Sequence, residues 1–283
     1  MSWIKVLGHD LRCGLLRRRY LLIPLLVLMA CISLGSIMRF RGVQGTWMDF
    51  MLYFFKGRAP IVNPDPSEVI FLPFEWLLVT GGCLFLNLDY LLLDLTNTGQ
   101  QVIVRSRDRR GWYLSKCVWN LCGTGLYFVL LALTAAVAVW WYGGEFSFFN
   151  TPALSPTVFG EVIVDNVALT AWQGLVVGVL LPFLSLAALN MLQMTLCLAL
   201  KPVLSFLICQ GLLVLAVYWN SPLSLGIGAM IMRNGWVGTE AAGPGMGGVD
   251  PLITALVAGG VLIICVIAGT VRFRHTDILG MEE

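Results

Sequence analysis

The chain has 283 residues, of which 58% are hydrophobic and only 12% charged, with a formal net charge of +2 and a mean hydropathy of +0.83. A soluble domain carries about 25% charged residues, so the composition excludes an ordinary water-soluble globule and makes the bilayer the solvent to reason in. Nucleic acid is not implied either, because the basic clusters flank apolar segments, where membrane topology and anionic lipid account for them.

The first element is an amphipathic stretch over residues 3–19. Trp3, Leu7, Leu11 and Leu15 recur every fourth residue, with Lys5, His9 and Arg12 on another face. Such a helix lies in the membrane interface, apolar side down. It is either a plain basic anchor or an elbow that receives force from a partner. Six apolar stretches follow, near 21–38, 74–93, 118–141, 174–200, 203–219 and 252–271. About 20 mostly apolar residues cross a hydrocarbon core about 30 Å thick, so these read as six spans, the fifth the shortest. Thirteen of the 18 Lys and Arg residues lie on the side of the N-terminal stretch, the 94–116 connection, Lys201 and the tail. The positive-inside rule then puts both termini in the cytoplasm. The fold class expected is an all-α membrane protein, one transmembrane domain over 1–283 in the cytoplasmic membrane, with an elbow helix at 1–20.

Between the first two spans, Trp47, Phe50, Met51, Phe54 and Phe55 follow helical spacing behind Thr46 as N-cap. A short helix on the outer leaflet is the simple expectation, with an aromatic surface suited to an amphiphilic substrate. Residues 220–250 begin too apolar for a solvated loop and become glycine-rich, which predicts a re-entrant or surface-lying external segment. Eight cysteines, none in a predicted external loop and none in a CxxC pair, read as small apolar fillers.

Polar residues within spans are the usual place to look for function. Glu75, Asn87, Asp89 and Asp94 lie along the second span, Gln173, Asn190, Gln193 and Thr195 on the fourth, and Gln210 on the fifth. They form either a polar substrate path or a set of helix–helix and interfacial hydrogen bonds. An enzyme is not expected: no HExxH or GxSxG pattern occurs, His9 and His275 are the sole histidines, and no Walker A pattern exists.

The connection over 94–116 is unusual for a linker. It contains Gln-Gln-Val-Ile-Val-Arg-Ser-Arg (100–107) and Arg-Gly-Trp-Tyr-Leu-Ser-Lys (110–116), a short apolar strip beside a dense basic run. It is either an interfacial segment held by lipid phosphates or an element docked on a cytoplasmic protein. Here the chain resembles the membrane subunits of ABC-2 type exporters. The resemblance rests on six spans, the amphipathic start, this connection, the partly apolar segment before the last span, and the tail Arg-Phe-Arg-His-Thr-Asp-Ile-Leu (272–279). It implies that Thr98, Gln100, Gln101, Arg105, Arg107, Arg109 and Arg110 form the contact with an ATPase subunit. It further implies that spans two and five line a path, so that Glu75, Asn87, Asn190, Gln193 and Gln210 are its candidate residues. The implied partners are two ABC ATPase subunits, a second permease copy or paralogue, and membrane lipid. No cofactor would be bound by this chain; ATP and Mg would sit on the ATPase. The cargo implied is amphiphilic: a drug, an antimicrobial peptide or a lipid-like molecule. Two other classes fit the same residues, an ion-coupled secondary transporter using Glu75 or Asp89, and a non-transporting scaffold or sensor.

Overall fold

The computed structural model describes residues 7–8, 10–12, 18–59, 72–88, 90–95, 99, 103–104, 108–155, 158, 167–237 and 248–275. Among them there is no β-strand, only two isolated bridges, Thr46 to Glu145 and Asn234 to Val249. A 3-10 turn, Arg18–Leu21, leads straight into α1, Leu22–Arg41. Gly42 ends α1 in the left-handed conformation (φ 65°), returning its N–H to the last turn. Helix α2 is Trp47–Phe54. The second apolar segment is two pieces, α3 at Phe74–Leu86 and α4 at Tyr90–Asp94, separated at Asn87 and Leu88.

Helix α5 runs Arg109–Tyr142 without interruption. At 1.5 Å per residue it is roughly 50 Å long, against about 30 Å of hydrocarbon. It therefore starts about nine residues before the apolar stretch predicted at 118–141, with Asp108 capping it by accepting from the Gly111 N–H at 2.9 Å. Helix α6 spans Ala171–Leu196 and α8 is Pro251–His275. Between them, α7 at Pro202–Tyr218 has 17 residues. Among the described residues, five helical stretches are long and apolar enough to cross a membrane, the second being α3 and α4 taken together, and α7 is a shorter apolar helix. The described residues thus form an all-helical bundle with several helices apolar enough for a membrane-embedded protein.

Helix α6 carries a π-helical turn at Val176–Leu180. Pro182 has no N–H to return to Gly178 and its ring crowds that carbonyl, so the ladder reopens one residue wider. The turn also presents Gly174 and Gly178 to Met48 and Leu52 of α2 at 3.2–3.3 Å from where a Cβ would stand. That contact corrects the outer-leaflet expectation for 47–55. All eight α2 residues are buried, packed on α1, α5 and the π turn, and the Trp47 indole N–H donates to the Ala132 carbonyl at 2.9 Å. The aromatic spacing that suited a lipid surface is instead met by the protein's own interior, so no aromatic substrate surface exists there. Gln173 likewise has a local role, since its Oε1 accepts from the Thr170 N–H and hydroxyl in a capping box.

The segment before the last helix enters the bundle. Its 3-10 turns, Ile227–Ala229 and Ile231–Arg233, are fully buried. Three contacts hold them: the Trp76 indole N–H to Ala229 O (2.6 Å), the Ile231 N–H to Phe55 O (2.9 Å) and the Met232 N–H to Lys56 O (3.3 Å). A methyl at Gly228 would overlap the Ser185 hydroxyl on α6. Residues 238–247 of the glycine-rich stretch lie outside the described residues.

Candidate functional site

Five amide- and hydroxyl-bearing side chains meet at the middle of the second apolar segment. Asn190 and Gln193 sit one turn apart on α6, Gln210 on α7, and Asn120 and Thr124 one turn apart on α5. Asn190 Nδ2 donates to Thr124 Oγ1 at 3.0 Å and to Cys83 Sγ at 3.3 Å. Gln193 Nε2 donates to the Leu84 carbonyl at 3.1 Å, and Asn120 Nδ2 to the Asn190 carbonyl at 3.3 Å. Gln210 occupies the notch left by Gly81, where a side chain would collide with its amide. One turn of α3, residues 81–84, is therefore clasped by α6 and α7, while α5 meets α3 through the Tyr127 hydroxyl, which donates to the Val79 carbonyl at 2.6 Å. Three of the sequence-predicted path residues, Asn190, Gln193 and Gln210, come together in this layer.

The fully buried unpartnered atoms of the layer are amide oxygens. Asn120 Oδ1, Asn190 Oδ1, Gln193 Oε1 and Gln210 Oε1 are buried and accept no hydrogen bond. The orientations of Asn120, Asn190 and Gln193 follow from their partners. Asn120 and Gln193 face backbone carbonyls, which take only a donor. Thr124 spends its hydroxyl proton on the Asn120 carbonyl at 3.0 Å, so Asn190 must donate to it. An unmade hydrogen bond on a buried acceptor costs about 1–3 kcal/mol, and four in one layer is a concentrated cost.

The other predicted path residues lie elsewhere. Asn87 marks the break between α3 and α4, where its Oδ1 accepts from the Tyr20 hydroxyl at 3.3 Å and rests against Gly123. Glu75 is half-buried at the opposite end of α3, beside Tyr53. Burial pushes the Tyr53 phenol up; a bond from Ser33 opposes this and the Glu75 carboxylate adds to it. Asp89 lies outside the described residues. Asn120 and Thr124 were missed by sequence reasoning, although a polar pair one turn apart in an otherwise apolar helix is a legible signal.

At the basic end of the bundle lies a second polar site. Lys116 Nζ on α5 is fully buried, paired with Asp10 and, at 2.7 Å, with Asp94 at the end of α4. Asp10 also accepts from the Ser115 and Tyr90 hydroxyls. The ammonium lies 5.0 Å from the Tyr90 ring centre and 4.7 Å from that of Trp112. A residue of the N-terminal stretch, the end of the second apolar segment and the start of α5 are thus joined by one ion cluster. Asp10 follows Leu7 by three residues, on the flank of the apolar stripe, and this is the signal that marks it as buried. Close by, Ile103 is buried with Trp112 and Phe273, whose rings stack at 4.9 Å, while Val104 is exposed.

Of the predicted ATPase contact, Arg109 and Arg110 lie exposed on the first turn of α5, and Arg109 Nη1 donates to the Arg274 carbonyl at 3.1 Å. Thr98, Gln100, Gln101, Arg105 and Arg107 lie outside the described residues. At the opposite end, Arg233 is fully buried, donating to Val217 O at 2.5 Å and Arg58 O at 3.1 Å, so its charge meets the C-terminal carbonyls of α7. Burial, with the nearby Arg58 charge adding to it, pushes its guanidinium down to about 10. No group of three or more His, Cys, Asp or Glu side chains able to hold a metal occurs among the described residues.

These features define a membrane-embedded helical bundle with an acceptor-rich polar layer at mid-depth and an ion cluster at its basic end. The chain belongs to the family described as protein of unknown function (DUF2705), which it matches over residues 26–279. No curated protein and no solved structure matches it.

Proposed function

We propose that this chain is the permease subunit of an ATP-driven exporter of the ABC-2 type, moving an amphiphilic substrate across the cytoplasmic membrane. In this reading α7 is a sixth, short span and the basic end faces the cytoplasm, as the Lys and Arg distribution favours. Two separate ATPase subunits carry ATP and Mg, and a second permease copy or paralogue completes the complex. The observation that carries the reading is the Asp10–Lys116–Asp94 cluster. It ties the N-terminal stretch and the 94–116 connection to one rigid 34-residue helix, so a push on either moves α5 as a lever. That is the two-state rigid-body switching an ATP-driven permease requires. Membrane lipid covers the apolar flanks, and Asn190, Gln193 and Gln210 belong to the substrate path.

The test is a detergent pull-down of the chain expressed with its neighbouring genes. A co-purifying ATPase at comparable stoichiometry is expected. Reversing Arg105, Arg107 and Arg110 to Glu should release it without loss of inserted protein; Arg109 is spared because it also holds the Arg274 carbonyl. Recovery of the chain alone, active in liposomes under an ion gradient, overturns the exporter in favour of an ion-coupled carrier. The buried lysine between two carboxylates is the observation that favours that second reading.

A further inference from the structure

The mid-depth layer presents more free acceptors than free donors: four amide oxygens are bare, and of the four amide nitrogens only that of Gln210 has no partner. Asn120, Asn190 and Gln193 are 1–2% exposed, and the amide nitrogens of all three are spent inside the protein. What remains are three neutral oxygens of fixed orientation, Asn120 Oδ1, Asn190 Oδ1 and Gln193 Oε1, with the unbonded Gln210 amide of α7 beside residues 81–84 of α3. Neutral oxygens cannot balance a divalent cation, and an anion would face three carbonyl oxygens with only the Gln210 amide able to donate to it. A group that brings several N–H donors and one positive charge satisfies them. We propose that this layer binds the protonated primary amine of an amphiphilic ligand, the hydrocarbon part lying along the apolar walls of α3 and α7. The proposal deepens the exporter reading, on which the ligand's role as cargo rests; the site itself does not depend on it.

Access fits this assignment. Gln210 is half-buried, and next to it Gly211 has open space where a Cβ would stand. A chain end can therefore reach the amides from the side of α7. From the opposite end the layer is covered. Trp76 bonds Ala229, Ser185 meets Gly228, and Ala216 meets Gly226, so the buried 3-10 segment sits over all three helices. Those contacts stand five residues from Gly81, five from Asn190 and six from Gln210, roughly 8 Å along each helix. The segment acts as a plug one to two turns above the amine site. Gly226 and Gly228 let it seat, since a methyl at either would collide with α7 or α6.

The experiment uses the full chain in maltoside micelles with octylammonium, octyltrimethylammonium and, separately, NaCl or KCl at matched ionic strength. Thermal unfolding is followed with each, for the wild type, for Gln193→Met and for Asn190→Leu/Gln193→Met. Octylammonium should stabilise the wild type, while the quaternary analogue, equal in charge but without N–H donors, should not. Each lost charge-assisted hydrogen bond weakens binding about tenfold, so Gln193→Met should shift the half-saturating concentration about tenfold and the double variant more. Gln193→Met keeps the reading falsifiable if the double variant does not fold. Equal stabilisation by both amphiphiles, or by wild type and variants alike, overturns the proposal. Variant-sensitive stabilisation by Na+ or K+ matching that of octylammonium also overturns it, in favour of an alkali-cation site. Because no ATPase is present, a positive result stands even where the pull-down fails, and the two failures are told apart.

Discussion

Replacing Lys116 with Met removes the one cation that the cluster shares between Asp10 and Asp94. Met keeps the apolar stem and its packing against Tyr90 and Trp112, so the perturbation is almost purely electrostatic. Lys116 is fully buried, Asp10 is 1% and Asp94 10% exposed, so two carboxylates would be left facing each other out of water. Breaking a buried ion pair from one side costs about 3–5 kcal/mol, and the upper part of that range applies because two pairs are lost together. Asp10→Asn is milder: Lys116 keeps Asp94 at 2.7 Å and the side-chain oxygen still accepts from Tyr90. Loss of one hydrogen bond to a charged group costs about 1.5–3 kcal/mol. Neutralising all three with Lys116→Met, Asp10→Asn and Asp94→Asn should recover at least half of the single-lysine loss, because a buried pair replaced as a unit is often close to neutral. The assay is equilibrium unfolding in mixed SDS–maltoside micelles, read by tryptophan fluorescence, with proteolysis of the first 20 residues as a local readout. Lys116→Met should make that segment cleavable well before global unfolding. A loss below about 1 kcal/mol, or a triple variant worse than the single one, would refute the cluster as a clasp.

Two further substitutions test the way α2 is drawn into the interior. The end of α5 is stitched to the start of α2 by the Glu145 N–H to Gly45 O (3.0 Å) and the Trp47 N–H to Glu145 O (3.2 Å). A methyl at Gly144 would overlap the Gly45 carbonyl, so Gly144→Ala should cost about 2 kcal/mol in the same unfolding assay, one hydrogen bond's net worth for each of two. Gly125→Ala on α5 has nothing within reach of its Cβ and should be neutral or stabilise by up to about 1 kcal/mol; equal effects of the two would refute the steric account. Asp49 has its carboxyl pushed above its ordinary value of 3.8 by burial, against the opposing bonds from Thr151 and Thr46. A raised carboxyl pKa means that the folded state holds the proton more tightly than the unfolded chain. Its contribution to stability is therefore full below the ordinary value and is lost as pH rises through the raised one. Wild type should lose stability relative to Asp49→Asn over that rise; parallel pH profiles would remove Asp49 as the cause. Near neutral pH the variant should still be less stable, since an amide N–H then opposes one of the donating backbone N–H groups of Thr46 and Thr151.

The character of the chain as an apolar helical bundle was legible from the sequence, because twenty-residue apolar runs have no other stable solution in a bilayer. Element bounds were less legible where polar residues are buried. The start of α5 was hidden because Arg109, Arg110 and Lys116 read as connection, whereas Lys116 is neutralised by Asp94, 22 positions before it, and by Asp10, 106 positions before it. For 47–55 the helix and its Thr46 cap were legible and its place was not. Apolar spacing states that a face avoids water, and lipid and protein interior satisfy it equally.

The same division holds for the candidate site. Asn190, Gln193 and Gln210 stood out as polar residues in apolar runs, and composition alone made them worth attention. Which of them meet, and that Glu75 and Asn87 do not join them, was decided by Gly81, by the break at Asn87 and by the way α6 and α7 lean on α3. Local sequence determined that these segments are helical, roughly where they lie and on which side the positive charge gathers, because hydropathy and capping act within a turn or two. Only the tertiary structure decided that the amides leave four acceptors bare and that Asp10 finds Lys116, because hydrogen bonds and ion pairs across helices depend on packing that no single segment encodes.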